Sequence, residues 1–279
     1  MKAIVLSCDR YIMLANHMIY TYQQLWPTNH FKFRVPYQDS YPDFLINRYP
    51  GKVELIKTES PIKSTALSLL HDIPDDEWIY WCMDDRYLIK ISSIKEVDDL
   101  YRCVLDIKDK DVVSVAFHRN RDRFSANSRL NLRSKIVTDE GQSVFETVHT
   151  NMTKLPVVWS HHFIRTKVMR RLFQSFPDRP FTAKEMDFFK KEKLPGEKIY
   201  VLEKNLAVFG ESTSRGKLTE NCAASFKKWG LEIPENFQIS KKYHIKGKLP
   251  YRLFGIEIKL PARVQRLMTT LVRWYWRNK

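Results

Sequence analysis

The chain has 279 residues, of which 43% are hydrophobic and 13% aromatic, enough to bury a full core and to exclude a disordered protein. No run of 18 apolar residues occurs, so no helix is expected to span a membrane. Lysine and arginine outnumber aspartate and glutamate by 47 to 32, and the resulting charge of +15 asks for an anionic partner: nucleic acid, an acidic membrane surface or a phosphorylated substrate.

The apolar start, residues 1–9, is too short for a signal peptide and reads as a first strand, so a cytoplasmic protein is expected. Residues 2–6 form that strand, and Ser7-Cys8-Asp9-Arg10 the loop at its C-terminal end. Over 11–25, apolar residues at helical spacing (Ile12, Leu14, Met18, Ile19, Tyr22, Leu25) predict a helix that stops before Trp26-Pro27. Strands are expected over 31–35 and 53–56, and a helix carrying Lys63 begins near Ser60-Pro61.

Six consecutive apolar or aromatic residues, Trp78-Ile79-Tyr80-Trp81-Cys82-Met83, follow the polar turn Pro74-Asp75-Asp76-Glu77. The run is too short for an ordinary helix and predicts a central strand covered on both faces. Asp84 and Asp85 stand where it ends, at the edge of an α/β sheet where ligands bind. Such a pair either holds a divalent cation against a diphosphate, or orients a sugar hydroxyl, or simply caps the strand and opens a solvated turn.

Beyond the pair, the pattern predicts a helix over 94–107, a strand over 112–117 and a weak strand over 144–149. Between the last two lies a basic, irregular segment, 118–134, with Arg119, Arg121, Arg123, Arg129 and Arg133. Residues 157–164 lead into a helix through Val168, Leu172 and Phe173; adjacent His161 and His162 on a strand would face opposite ways, so at most one could serve a metal. Thr182 is a candidate N-cap that puts Glu185 in the first turn of a helix, with Asp187 two residues on. Both acids suit a helix N-terminus electrostatically whether or not they do chemistry. A last long strand is expected over 199–209, followed by the small polar loop Ser212-Thr213-Ser214-Arg215-Gly216-Lys217. The alternation of strands and helices predicts an α/β domain with a mainly parallel sheet. Cysteines 8, 82, 103 and 222 are widely spaced and read as buried thiols.

The tail differs in kind. Residues 250–279 carry seven basic side chains against the single acid Glu257, and from Pro261 the apolar positions 264, 267, 268, 271, 272 and 275 follow the spacing of an amphipathic helix. A basic helix with terminal tryptophans fits an anionic membrane interface; packing on the protein's own core, or on another copy, is the plainer alternative.

A first strand ending in Ser7-Cys8-Asp9, a lysine-bearing helix, Met83-Asp84-Asp85-Arg86-Tyr87 after the central strand and an acidic helix start downstream together resemble bacterial or viral polysaccharide-biosynthesis glycosyltransferases with the GT-A fold. The resemblance covers about residues 1–220 and implies a GT-A-like, Rossmann-like catalytic domain there, with 221–279 as a basic extension. It implies a nucleotide-sugar donor and a glycan or lipid-linked acceptor, an inverting transfer, and a peripheral position at the inner membrane face. Asp9 and Arg10 match the loop that contacts the base or ribose, and Lys63 would lie near the diphosphate. Asp84 and Asp85 match the place of the family's DxD motif, and Glu185, with Asp187 behind it, the place of the catalytic base. Because position 83 is Met and position 86 Arg, only an adjacent pair exists. Either Asp85 binds Mn²⁺ or Mg²⁺, with His161 as a further ligand, or Arg86 neutralises the phosphates without metal. The chemistry of diphosphate departure adds Arg215 and Lys217 as cations that could fold over the leaving group. A nucleic-acid-binding protein or nuclease using the basic surface is the main alternative, disfavoured by the absence of any zinc-finger or RNP-type pattern, and a non-catalytic membrane scaffold is a second.

Overall fold

A computed structural model describes residues 1–117, 131–137, 144–150, 159–181, 185–186, 197–202, 204, 206–211, 213–214, 217–233, 239–240, 251–253, 256–258 and 264. Its first half follows the sequence pattern except for the helix over Asp43–Arg48 and the strand over Arg86–Ile91, which the pattern does not suggest. Strand β1 (Lys2–Leu6) and a single 3-10 turn (Asp9–Tyr11) lead into helix α1 (Ile12–Leu25). Then come β2 (Lys32–Tyr37), the short helix α2 (Asp43–Arg48), β3 (Val53–Lys57), α3 (Ile62–Leu70) and β4 (Trp78–Met83). After the carboxylates the chain forms β5 (Arg86–Ile91), α4 (Ile94–Asp106), β6 (Val112–Ala116), β7 (Asn131–Val137), β8 (Val144–Thr150), β9 (His162–Arg165) and α5 (Thr166–Gln174). The remainder comprises β10 (Lys198–Leu202), β11 (Ala207–Glu211), β12 (Thr213–Ser214), β13 (Lys217–Thr219), α6 (Glu220–Lys228) and the short strands β14 (Ile239–Ser240), β15 (Tyr251–Leu253) and β16 (Ile256–Ile258).

Nine strands make the main sheet, in the order β3-β2-β1-β4-β9-β6-β10-β8-β7. Following the pairings from β1 outward, only β8 and β9 run against the other seven strands. The expected class is therefore the one observed: a Rossmann-like, mainly parallel sheet flanked by helices. Strand β4 lies in its interior, between β1 and β9, with all six residues buried. Its side chains alternate between two cores, as a strand's twofold period requires. Trp78, Tyr80 and Cys82 join α1 and α4 on one face. Ile79, Trp81 and Met83 join α3 and α5 on the other.

Local chemistry explains the element ends. Ser93 caps α4: its hydroxyl accepts from the Glu96 N–H at 3.2 Å and donates to the Glu96 carboxylate at 3.2 Å. In β2, Pro36 does not stop the strand as its missing N–H suggests. Pairing with β1 ends at Ile4–Arg34, so past that point β2 needs partners only on the β3 side, where it runs on to Tyr37–Lys57. Arg34, in the middle of β2 and only 2% exposed, is satisfied by Glu54, Asp72 and the Leu69 carbonyl.

Four expectations are corrected. The segment expected as one strand over 199–209 is two strands in different sheets: β10 lies between β6 and β8, whereas β11 pairs antiparallel with β5. The polar residues Glu203-Lys204-Asn205 interrupt the apolar run at the division. Strand β5 itself is unpredicted, because Tyr87-Leu88-Ile89 continues the apolar character of β4 and hides the reversal at Asp84-Asp85. The end of the basic segment, from Asn131, is strand β7 paired along its whole length with β8; residues 118–130 lie outside the described residues. Of the polar stretch after β11 expected as a loop, Thr213 and Ser214 form β12 and Lys217 begins β13, with Ser214 opposite Lys217; residues 212, 215 and 216 lie outside the described residues.

Helix α6 follows that hairpin, and its Cys222 and Phe226 enter the core shared by β4 and α1, with Trp229, Leu231 and Ile233 packed alongside. All four cysteines are thiols and none forms a disulfide; those at 82, 103 and 222 are buried. Among the described residues no helix is long and apolar enough to cross a membrane. The tail helix expected from Pro261 lies outside the described residues except for Val264, which is exposed.

Candidate functional site

Two strand ends build the centre of the site. In parallel register β1 and β4 pair as far as Leu6–Met83, so the next residues of each, Ser7 and Asp84, emerge side by side. The Ser7 hydroxyl donates to Asp84 Oδ2 at 2.7 Å. Asp84 is 7% exposed, and burial is the main force pushing its carboxyl up to about 8; the Ser7 bond opposes that rise and the charge of Asp85 adds to it. Burial also raises Asp85, against the pull of Arg86. The Cys8 thiol is raised likewise, by burial first and by Asp84 second. Two neighbouring carboxyls that both resist ionisation form a place where a bound cation, or a hydrogen-bonding ligand, is rewarded.

The pair occupies the turn from β4, in the main sheet, to β5, in the small β5–β11 sheet. The turn thus lies at the C-terminal end of β4, the side where open α/β sheets bind ligands. Arg86 begins β5, opposite Glu211. Tyr87 is fully buried between His17, at 4.7 Å edge-on, and Phe226, at 5.6 Å. Its hydroxyl has no hydrogen-bond partner among the described residues and stays protonated through burial, with Cys222, Asp84 and Asp85 adding to the effect.

Beside the pair, the ends of β1, β2 and β3 are latched together. Asp9 accepts at Oδ1 from the Gln38 N–H at 2.8 Å and at Oδ2 from the Asp39 and Ser40 N–H groups at 2.8 and 3.0 Å. Desolvation works against ionisation there, but the backbone donors prevail and hold Asp9 below the usual carboxylate range. Gln38 returns a bond, its Oε1 accepting from the Asp9 N–H at 2.8 Å, and donates to Thr58 Oγ1 at 2.9 Å. Arg10 is exposed, its guanidinium 5.5 Å from the Tyr11 ring.

The other residues singled out in the sequence fall in different surroundings. Lys63 bridges from α3 to the end of α5, donating to the Gln174 and Phe176 carbonyls at 3.2 and 2.6 Å and to Asp178 at 2.6 Å. Glu185 is half-buried and accepts from Arg179 at 3.1 Å, next to Met186 in the core. Lys217 is exposed on β13. Asp187 and Arg215 lie outside the described residues. His161 is buried with both ring nitrogens engaged: Nδ1 with the Tyr22 hydroxyl at 2.6 Å, Nε2 with the Met83 backbone at 3.0 Å. His162, also buried, has Nδ1 2.7 Å from the Ser160 carbonyl. Among the described residues no three or more His, Cys, Asp or Glu side chains converge as a metal cage. Sequence reasoning named Ser7 only as part of the loop after the first strand, without its bond to Asp84, and missed Gln38 and Tyr22; Gln38 stands at a strand end, and nothing local marks Tyr22.

No family model matches the sequence, and no curated protein does. Among solved structures, the galactosyltransferase LgtC in complex with donor and acceptor sugar analogues matches with 12% identity and a TM-score of 0.37, over 68% of this chain and 65% of that one. An active-site mutant of LgtC matches with 12% identity over 61% and 59% with a TM-score of 0.35, so this chain spans less than two thirds of that enzyme. CMP:2-keto-3-deoxy-manno-octonic acid synthetase complexed with CTP matches with 12% identity over 81% and 95%, TM-score 0.40. Glucosyl-3-phosphoglycerate synthase from Mycobacterium tuberculosis matches with 12% identity over 86% of both chains, TM-score 0.37. Likeness at this level says nothing of activity, on which only the chemistry of the site bears.

Proposed function

We propose that the chain is a glycosyltransferase that moves a sugar from a nucleotide-sugar donor to a glycan or lipid-linked acceptor. The observation that carries this reading is the Asp84-Asp85 turn: two desolvated carboxyls at the C-terminal end of the central strand, one anchored by Ser7, with Arg86 beside them. Buried carboxyls are costly to keep, and a site that keeps two adjacent ones is suited to a ligand that repays the cost.

In the transfer, the acceptor oxygen forms a bond to the anomeric carbon as the bond to the donor phosphate breaks. The diphosphate leaves with the electron pair, and the acceptor proton passes to a carboxylate. We assign that proton to Glu185, or to Asp187 two residues on; attack from the face opposite the diphosphate would invert the sugar. The latched loop of Asp9, Gln38 and Ser40 forms the wall on which the nucleoside rests, with Arg10 at its rim. Arg86, Lys217 and Arg215 are the cations we assign to the phosphates, and Lys63 orders the α5 end from which the Glu185 segment departs.

Hard oxygen donors from Asp84, Asp85 and Ser7 fit magnesium or manganese, which commonly take only one or two protein carboxylates and complete their shell with water and substrate phosphate. Asp85, with Asp84, would hold such an ion, which when bound would neutralise charge on the diphosphate. The basic tail, 250–279, is assigned to an anionic membrane surface at the inner face, on its charge and tryptophans alone.

A thermal-shift screen against UDP, GDP, CMP and dTDP and their sugar conjugates, with and without Mn²⁺ or Mg²⁺, tests the reading, because a bound donor raises the melting temperature by linkage. A shift with one nucleotide class supports it. Silence with all of them, alongside tight salt-sensitive binding to nucleic acid, refutes it.

A further inference from the structure

The β4–β9 ladder runs from Trp78–Arg165 to Trp81–His162 and stops, while β4 continues two residues further along β1. Met83 therefore turns its N–H and C=O toward β9 beyond the last paired residue. The His161 imidazole stands there in place of a strand, its Nε2 3.0 Å from both backbone atoms. On the other side of the ring, Nδ1 lies 2.6 Å from Tyr22 Oη, which lies 2.8 Å from Tyr80 Oη. Tyr22 and Tyr80 are fully buried and His161 is 1% exposed. The Tyr22 ring stacks on the imidazole at 11°, and Phe209 of β11 packs against it at 4.9 Å. A polar chain thus crosses the core from α1 to the residue that precedes Asp84.

Its proton order has two consistent settings. With the proton on Nδ1, His161 donates to Tyr22, Tyr22 donates to Tyr80, and Nε2 accepts from the Met83 N–H. With the proton on Nε2, His161 donates to the Met83 carbonyl, Tyr80 donates to Tyr22 and Tyr22 to Nδ1, and the Met83 N–H gives up Nε2 as its acceptor. Either setting fastens the Met83 peptide, and neither leaves a ring nitrogen lone pair for a cation at Asp85.

We propose that His161, braced by Tyr22, is a positioning residue for the Asp84-Asp85 turn and not a metal ligand. The proposal rests on the reading of that turn as the donor site. Buried polar chains of this kind are electrostatically strong in the low-dielectric core, and here both proton settings hold the Met83 peptide in one place.

The test compares His161→Ala and Tyr22→Phe with wild type in the full chain. Tyr22→Phe keeps the packed ring, touches neither carboxylate, and serves if His161→Ala fails to fold. Amide exchange is followed peptide by peptide, turnover of the donor found by thermal shift is measured where each variant is fully folded, and Mn²⁺ affinity is read by spin resonance. Positioning predicts severalfold faster exchange in Tyr22→Phe, and roughly tenfold or more in His161→Ala, confined to residues 83–86. It also predicts a matching fall in kcat. Faster exchange spread over β4 and β9 without a change in kcat would reduce the chain to ordinary core structure and overturn the proposal. Wild-type exchange and turnover in Tyr22→Phe, with Mn²⁺ binding lost in His161→Ala, would make His161 a ligand and overturn it too. If wild type consumes no donor, the functional reading fails on its own, and local exchange in Tyr22→Phe still decides whether the turn is held this way.

Discussion

Ser7 and Asp84, 77 residues apart in sequence, are joined by a 2.7 Å hydrogen bond from hydroxyl to carboxyl where β1 and β4 end together. The bond stabilises a charge that burial opposes, and burial wins: the carboxyl is pushed up to about 8 from an ordinary value of 3.8. Removing the hydroxyl removes the opposing contribution. In Ser7→Ala the Asp84 titration midpoint, followed by the carboxyl stretching band or carbon NMR, moves higher still; a midpoint that falls would contradict the assignment.

The same carboxyl makes stability depend on pH in a defined direction. Between about pH 4 and pH 8 the folded chain holds a proton that the unfolded chain has released, so this group's contribution to stability falls as pH rises through that window. Below it both states are protonated and the cost vanishes; above it the cost is fully present. Asp84→Asn should therefore be more stable than wild type at pH 8, by about 2–5 kcal/mol at roughly 1.4 kcal/mol per pKa unit, and equal to it near pH 4. Urea titrations at the two pH values measure the difference.

Arg34 supplies a contrasting case, a buried cation with every donor committed. Arg34→Met leaves Glu54 without its counter-ion, Asp72 with Lys2 at 3.5 Å, and the Leu69 carbonyl without its donor. Because both acids retain some access to water, the loss should be about 3 kcal/mol, the low end of the range for breaking a buried pair. Side-chain hydrogen bonds from Arg34 hold Asp72 well below the usual carboxylate range, so the stability it lends is present above about pH 4 and is lost as pH falls; the variant should show less acid sensitivity than wild type.

Ser93→Ala removes the α4 cap and leaves the Glu96 N–H without its acceptor. A loss of about 1 kcal/mol in equilibrium unfolding is expected, with donor binding unchanged, since α4 packs on the core and forms no part of the carboxylate turn.

How much of the fold and site was legible in the sequence depends on the range of the physics involved. Strand β4 could be read because six apolar residues bounded by acids suit little except a buried strand, and α4 because its apolar face is encoded within one segment. The carboxylates could be located for the same reason. Strand β5 could not be read, since an apolar run that reverses direction looks the same as one that continues. Lys63 illustrates the limit for single residues: its place before the central strand suggested phosphate, while its amine is spent on carbonyls 111 and 113 residues away. His161 was visible as a polar residue near the site, but its partners, Tyr22 and Met83, are fixed by how β4, β9 and α1 pack. Spacing along the chain carries no record of such contacts.

The central claim is most directly tested by incubating the protein with each nucleotide sugar and measuring release of the nucleotide, wild type against Asp85→Asn. The account predicts that one donor class is consumed and that Asp85→Asn lowers turnover by about a hundredfold or more, as loss of one group that stabilises a departing charge commonly does. Equal turnover by the two proteins would remove Asp85 from the chemistry, and no release from any donor would contradict the account as a whole.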